Sequence, residues 1–70
     1  MSTAVALTVN GEPRHLATPA TVASLLAAIG LDRRKVAVEL NEEIVPRSGY
    51  EHTTLANGDQ LEIVHFIGGG

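Results

Sequence analysis

The chain begins with a period-2 alternation of apolar and small or polar residues, which is typical of a half-buried β-strand. The apolar positions are Val5, Leu7 and Val9. Asn10-Gly11 follows at once, and this dipeptide is the strongest short-range signal for a hairpin turn. We therefore expect residues 14–17 to return as a second strand. Pro13 lacks a backbone N–H, so that strand should lie at an edge of the sheet.

A 3.6-residue period replaces the alternation after the second strand and predicts a short helix. Its apolar stripe consists of Val22, Leu25, Leu26 and Ile29. Thr21 stands where an N-cap belongs, and Gly30 stands at the C′ position, where glycine is favoured. Thr18-Pro19 is a competing start, because proline is favoured at the first helical position.

Three later segments again have strand-like patterns, separated by turn residues. The strands are predicted at residues 36–40, 44–45 and 61–67. The turns that precede the last two strands contain Asn41-Glu42-Glu43 and Asn57-Gly58-Asp59.

The predicted order is strand, strand, helix, strand, short strand, strand. One helix with a single apolar stripe can cover one face of one sheet. The order therefore predicts an α+β domain of the β-grasp, or ubiquitin-like, class, with a mixed sheet of about five strands packed on one main helix. We expect the crossover through the helix to return the chain parallel to the first strand. A ferredoxin-like fold would need a second helix, for which the sequence has no pattern.

The domain is expected to span residues 1–66 and to be followed by a flexible glycine tail at residues 67–70. Glycine has no side chain to pack, and ordering it costs more conformational entropy than ordering any other residue. A bare backbone that ends in a carboxylate is thin enough to enter a narrow pocket on another protein. The alternative is a frayed chain end, since termini are often disordered.

Alternation along the last predicted strand assigns its two faces. One side carries Leu61, Ile63, His65 and Ile67, and the other carries Glu62, Val64 and Phe66. Of the first set, Leu61 and Ile63 should meet the helix. Burying an unpaired carboxylate is costly, so the side with Glu62 should be the open one. An apolar patch beside the tail can serve as a partner site. The expected partner interface comprises Glu39, Val64, Phe66 and Ile67.

Composition narrows the classes of function. The 70 residues include no cysteine, which excludes disulfides, thiolate metal sites and a nucleophilic thiol of the chain's own. The net charge of −3, with only five basic residues, does not indicate the basic surface that nucleic-acid binding requires. No apolar run approaches membrane-spanning length, and the N-terminus has no signal-peptide pattern, so we expect a soluble cytoplasmic protein.

A core this small leaves few residues for the walls of a deep cleft, so a self-contained enzyme is not expected. We find no catalytic constellation in the sequence. His15, His52 and His65 match no standard spacing of metal ligands, and a metal site is not expected.

Four segments carry a family resemblance. They are Asn10-Gly11, Thr21-Val22 with Leu25-Leu26, residues 38–47, and residues 58–70. The last of these, which ends in His65-Phe66-Ile67-Gly68-Gly69-Gly70, is the most specific. On the basis of these segments, the chain resembles the ThiS-type sulfur carriers, which are small ubiquitin-like proteins of thiamin thiazole biosynthesis. The resemblance extends over nearly the whole chain.

The resemblance implies a carrier rather than an enzyme. A ThiF-type adenylyltransferase would use ATP to adenylate the Gly70 carboxylate while Gly68 and Gly69 lie in its active site. A sulfur donor, such as a cysteine desulfurase system, would then allow conversion to a thiocarboxylate. A ThiG-type thiazole synthase would draw the sulfur into the thiazole ring. The chain itself would bind no cofactor.

Three other functions stay open on the sequence alone. The small subunit of molybdopterin synthase has a similar fold and a Gly-Gly end, although such proteins are usually longer. A ubiquitin-like modifier would deliver Gly70 to an amine, and Lys35 is the only lysine available for chains of the protein itself. A plain ubiquitin-like binding module would need no chemistry at the C-terminus.

Overall fold

The computed structural model of the chain describes residues 3–66. Within this range it has five strands and one α-helix, which confirms the α+β prediction. The elements are β1 (Ala4–Val9), β2 (Glu12–Ala17), α1 (Val22–Ala28), β3 (Val36–Leu40), β4 (Glu43–Val45) and β5 (Gln60–His65). Short 3-10 turns at Arg33–Lys35 and Arg47–Gly49 precede β3 and follow β4. The predicted tail at residues 67–70 lies outside the described residues, and the domain boundary at residue 66 stays a prediction.

The five strands form one mixed sheet in the order β2-β1-β5-β3-β4. β1 and β5 are parallel, whereas β3 is antiparallel to β5 and therefore also to β1. The expectation that the helix returns the chain parallel to β1 is wrong. The crossover leaves from β2, which already runs antiparallel to β1, so β3 takes the direction of β2. The strand parallel to β1 is β5, the last one.

Two-residue turns close both hairpins. Asn10 and Gly11 join β1 to β2 with φ angles of 52° and 82°. Asn41 and Glu42 join β3 to β4 with φ angles of 50° and 72°. Turns with positive φ at both central positions match the right-handed twist of the flanking strands. Asparagine and glycine tolerate this conformation, but a glutamate in it is strained.

Helix α1 begins as the sequence predicts. The Thr21 hydroxyl accepts from the Ser24 amide at 3.1 Å, and the Ser24 hydroxyl accepts from the Thr21 amide at 2.8 Å, which completes a capping box. Gly30, with a φ of 78°, follows the last turn. The competing start at Thr18-Pro19 is wrong, because the Ala20 carbonyl accepts from the Leu55 amide and this extended segment pairs with the loop before β5.

The core lies between α1 and one face of the sheet. It consists of Leu7, Val9, Leu16, Ala20, Val22, Leu25, Leu26, Val36, Val38, Val45, Tyr50, Leu55, Leu61 and Ile63. Tyr50 is the one residue in this set with a side-chain hydroxyl, and it donates to the Val36 carbonyl at 3.4 Å. All the other members are aliphatic, so the domain depends on close packing of a small apolar volume.

Leu25 lies on the buried stripe of α1 and is 1% exposed. We expect Leu25→Ala to lower the free energy of unfolding by about 2–5 kcal/mol, because it leaves a cavity in a core with few members. Urea denaturation followed by circular dichroism measures the change. Leu40→Ala is the control, since Leu40 is half-buried at the end of β3 and should cost less. Equal losses in the two variants would contradict the assigned stripe.

The positive φ of Glu42 gives a second expectation. Glu42→Gly should raise the free energy of unfolding by about 1 kcal/mol, because glycine adopts this conformation without a Cβ clash. Thermal unfolding at neutral pH measures the gain. Glu42→Gln is the matched control, since it removes the charge and keeps the strained backbone. A glycine variant no more stable than the glutamine variant would show that charge, not backbone strain, limits this turn.

Candidate partner interface

The face of the sheet opposite α1 carries exposed apolar side chains near the end of the described chain. On β5, Leu61 and Ile63 are 1% and 9% exposed and lie in the core. Val64 is 61% exposed, and Phe66, just beyond the strand, is 49% exposed. Burial of Leu61 and Ile63 and exposure of Glu62, Val64 and Phe66 confirm the faces predicted for these residues, whereas His65, predicted on the side of Leu61, is exposed. Large apolar side chains in such positions are favourable contacts for a partner surface.

Ile44 on β4 is an addition that the sequence reasoning missed. It is 76% exposed, more than Val64 or Phe66. Its register partner on β3 is Glu39, and Glu39 is in turn opposite Glu62 on β5. Alternation with the buried Val45 could have indicated that Ile44 faces outward. We call Ile44, Val64 and Phe66, together with Glu39 and Glu62, the open-face patch.

The acidic part of the open-face patch has an unfavourable arrangement. Glu39 and Glu62 are directly opposite each other across β3 and β5. With Glu42 and Gln60 they line a shallow depression of about 320 Å³. Like charges at directly opposed positions destabilise a sheet. The ion pairs found within residues 3–66, Arg33–Glu51 and Arg34–Asp32, do not include these glutamates. The patch therefore combines an apolar surface with negative charge that a cationic group could balance.

The residue that follows β5, Phe66, is held on its β3 side by the 3-10 turn that precedes β3. The Phe66 amide donates to the Lys35 carbonyl at 2.9 Å. Asp32 caps this turn by accepting from the backbone amide of Arg34 at 2.9 Å and from its guanidinium at 3.0 and 3.1 Å. The hydrogen bond from the Arg34 side chain is the main cause that lowers the pKa of Asp32 to about 2. The Arg47 guanidinium also donates to the Arg34 carbonyl, at 3.3 Å.

The opposite edge of β5 is held by a side chain from the first hairpin. Asn10 Oδ1 accepts from the Ile63 amide at 2.8 Å, and Asn10 Nδ2 donates to the Ile63 carbonyl at 3.2 Å. Sequence reasoning assigned Asn10 only to the turn. A contact across 53 positions leaves no local signal in the sequence.

The remaining predicted site residues lie outside the described part of the chain. They are Ile67, Gly68, Gly69 and Gly70. Their roles as interface, tail and reactive terminus stay predictions. Of the predicted interface, the structure brings Glu39, Val64 and Phe66 to the same side of the sheet.

Two kinds of feature are absent from residues 3–66. No group of three or more His, Asp or Glu side chains in this range is arranged to hold a metal ion. None of the helices described there is long and apolar enough to cross a membrane.

Comparison with known proteins assigns the chain to a family. The ThiS family model matches residues 7–70. The sulfur carrier protein ThiS of Bacillus subtilis is 44% identical over 50 residues, covering 71% of this chain and 76% of that protein. A crystal structure of the thiamine biosynthesis protein ThiS from Geobacter metallireducens superimposes with a TM-score of 0.75 at 38% identity, covering 94% of this chain and 100% of that one.

A longer protein also contains a similar segment. A thiazole synthase of Paramagnetospirillum magneticum is 55% identical over 64 residues, which is 91% of this chain but only 20% of that protein. The chain thus spans about a fifth of the length of this relative. The structural neighbour shares the five-stranded mixed sheet with one helix, so the β-grasp prediction is confirmed. On the family match and these similarities, the chain belongs to the ThiS family.

Proposed function

We propose that this chain is a sulfur carrier of thiamin biosynthesis whose reactive group is the Gly70 carboxylate. The observation that carries the proposal is that the family match runs through residue 70 and so includes the glycine end. The likeness to the sulfur carrier of Bacillus subtilis supports the same role. The chain acts as a co-substrate rather than as an enzyme, and its partners supply the catalytic groups.

The proposed chemistry first activates the Gly70 carboxylate at one of its oxygens and then substitutes sulfur at its carbonyl carbon. A carboxylate oxygen of Gly70 attacks the α-phosphorus of ATP, and pyrophosphate leaves, in the active site of a ThiF-type adenylyltransferase. The adenylate is the better acyl donor, because AMP is a good leaving group. The outer sulfur of a persulfide, which a cysteine desulfurase system forms from cysteine, then attacks the carbonyl carbon and displaces AMP, giving an acyl disulfide. A thiol reductant cleaves the S–S bond of this acyl disulfide and releases the thiocarboxylate. Gly68 and Gly69 have no Cβ and allow the backbone to approach the nucleotide closely.

A ThiG-type thiazole synthase is the proposed acceptor of the sulfur. The similarity of this chain to a segment of a thiazole synthase supports the pairing, because it places a carrier-like sequence within a protein of that name. The cytoplasmic location stays a prediction from the sequence.

The open-face patch is the proposed docking surface for these partners, and Ile67, which lies outside the described residues, is proposed as a further contact. Exposure of Val64 and Phe66 supports an apolar contact, and the unpaired negative charge of Glu39 and Glu62 supports a basic rim on the partner. A basic group of the partner then offsets the repulsion between the two glutamates, and this relief favours the complex over the isolated domain. Docking by this surface would leave the Gly70 carboxylate available for reaction.

Intact-protein mass spectrometry tests the carrier role. After incubation with ATP, the adenylyltransferase and a cysteine-derived sulfur donor, we expect a species heavier by the replacement of one oxygen with sulfur, mapped to Gly70. A chain lacking Gly69 and Gly70 is the control, and it should remain folded and unmodified. If the full chain formed neither adenylate nor thiocarboxylate, the proposed function would be wrong and a plain binding module would be favoured. Transfer of Gly70 to a lysine would instead indicate a protein modifier.

Phe66→Asp tests the docking surface. We expect the Kd for the adenylyltransferase to rise about tenfold or more, because a charge replaces an exposed aromatic contact. Calorimetric titration measures the affinity, and circular dichroism checks that the fold is kept. Thr54→Asp is the control, since it adds the same charge on an exposed residue that pairs with the helix N-cap, away from the patch. An unfolded Phe66 variant, or equal affinities for both variants, would contradict the assigned surface.

A further inference from the structure

The two edges of β5 are supported in different ways. On the β3 side, backbone pairing runs from Leu61 to His65 and continues through the Phe66 amide to the Lys35 carbonyl. On the β1 side, the parallel ladder ends where Val9 meets Leu61. β1 cannot extend further along β5, because the chain turns back at Asn10-Gly11. The part of β5 nearest the tail therefore lacks a neighbouring strand on this side within the described residues.

The Asn10 side chain takes the place of the missing strand. Its amide accepts from the Ile63 N–H at 2.8 Å and donates to the Ile63 carbonyl at 3.2 Å. Its own backbone amide donates to the Leu61 carbonyl at 2.8 Å. A side-chain amide has one donor group and one acceptor group in the same arrangement as a peptide unit, so it can continue a ladder beyond the end of a strand. Asn10 thereby holds both backbone polar groups of Ile63, its N–H and its carbonyl.

The turn alone does not account for this contact. Positive φ at Asn10 requires a residue such as asparagine or glycine, and glycine would satisfy the backbone equally well. Only the asparagine side chain supplies the two hydrogen bonds to Ile63. Ile63 lies seven residues before Gly70, and the bonds act just before Val64 and Phe66 of the open-face patch.

Asn41 provides a natural comparison within the same molecule. It has almost the same φ, 50° against 52°, and occupies the same position in the other two-residue hairpin. Its Oδ1 also accepts from a backbone amide of β5, that of Gln60 at 3.0 Å, while its Nδ2 donates to Asp59. Asn41 thus holds the first residue of β5, whereas Asn10 holds the strand near its exit toward the tail.

We propose that Asn10 is a positioning residue for the reaction at Gly70, an inference that rests on the proposed function. By pinning Ile63, it fixes the direction in which the chain leaves the sheet when the open-face patch is docked on the adenylyltransferase. Without these bonds, β5 is held beyond Leu61 on one side only, by β3 and the Lys35 carbonyl. The bound chain then samples orientations in which the terminal carboxylate misses the α-phosphorus of ATP. Such misplacement lowers the rate of the chemical step and leaves docking nearly unchanged.

The test compares Asn10→Gly with Asn41→Gly in the full chain. Both variants keep the positive φ, and each removes the hydrogen bonds of one side-chain amide to the backbone of β5. With purified adenylyltransferase and ATP, we expect kcat for pyrophosphate release to fall about tenfold in Asn10→Gly, with KM for the carrier changed less than about twofold. Asn41→Gly should keep the wild-type kcat. Asn10→Asp should lie between wild type and glycine, because it retains the acceptor for the Ile63 amide but loses the donor.

Amide hydrogen exchange gives a readout that does not depend on the enzyme. The Ile63 amide should exchange faster in Asn10→Gly than in Asn41→Gly when the two are compared at equal distance below their melting temperatures. If wild type releases pyrophosphate and the two glycine variants have equal kcat, the inference is overturned while the proposed function stands. If wild type itself gives no reaction, the proposed function fails, and this role of Asn10 fails with it. A rise in KM alone would assign Asn10 to docking and would also overturn the inference.

Discussion

The central place of β5 in the sheet is the constraint on which the rest of the structure depends. The last strand lies between β1 and β3, and Leu61 and Ile63 bury against the helix from this position. Because side chains alternate along a strand, burying these two residues places Glu62 and Val64 on the opposite face. A shift of one residue in the register would exchange the two sets and bury a carboxylate. The core therefore determines which side chains are presented beside the C-terminus.

The docking surface proposed for the open face would make stability and binding place opposite demands on this sheet. An isolated domain would be more stable with a favourable pair in place of Glu39 opposite Glu62. A surface that docks on a basic, apolar partner needs the reverse. A domain of this size has a small core, so it can tolerate only a few such positions. In the described chain these positions lie on one face of the sheet, next to the Leu40–Leu61 end of the β3–β5 ladder.

Much of the architecture could be predicted from local patterns. The period of the apolar residues identified the helix and most of the strands, the Thr21 cap and Gly30 located the helix ends, and Asn10-Gly11 located the first turn. Alternation in β5 assigned the exposure of Val64 and Phe66 correctly. Two predictions were wrong. Proline at position 19 suggested a helix start, although the segment around Ala20 pairs with the loop before β5, and the crossover rule was applied to β1 although the crossover leaves from β2.

By itself, the sequence determined the types of the elements, the two faces of β5 and the family, because these depend on spacings of a few residues or on a continuous segment such as residues 58–70. Only the tertiary structure decided which strands become neighbours, and with them the opposition of Glu39 to Glu62 and the bonds between Asn10 and Ile63. The physical reason is that strand pairing joins positions far apart in the chain. Which strands pair depends on which apolar faces can be buried together against one helix, and this cannot be predicted from spacings of a few residues.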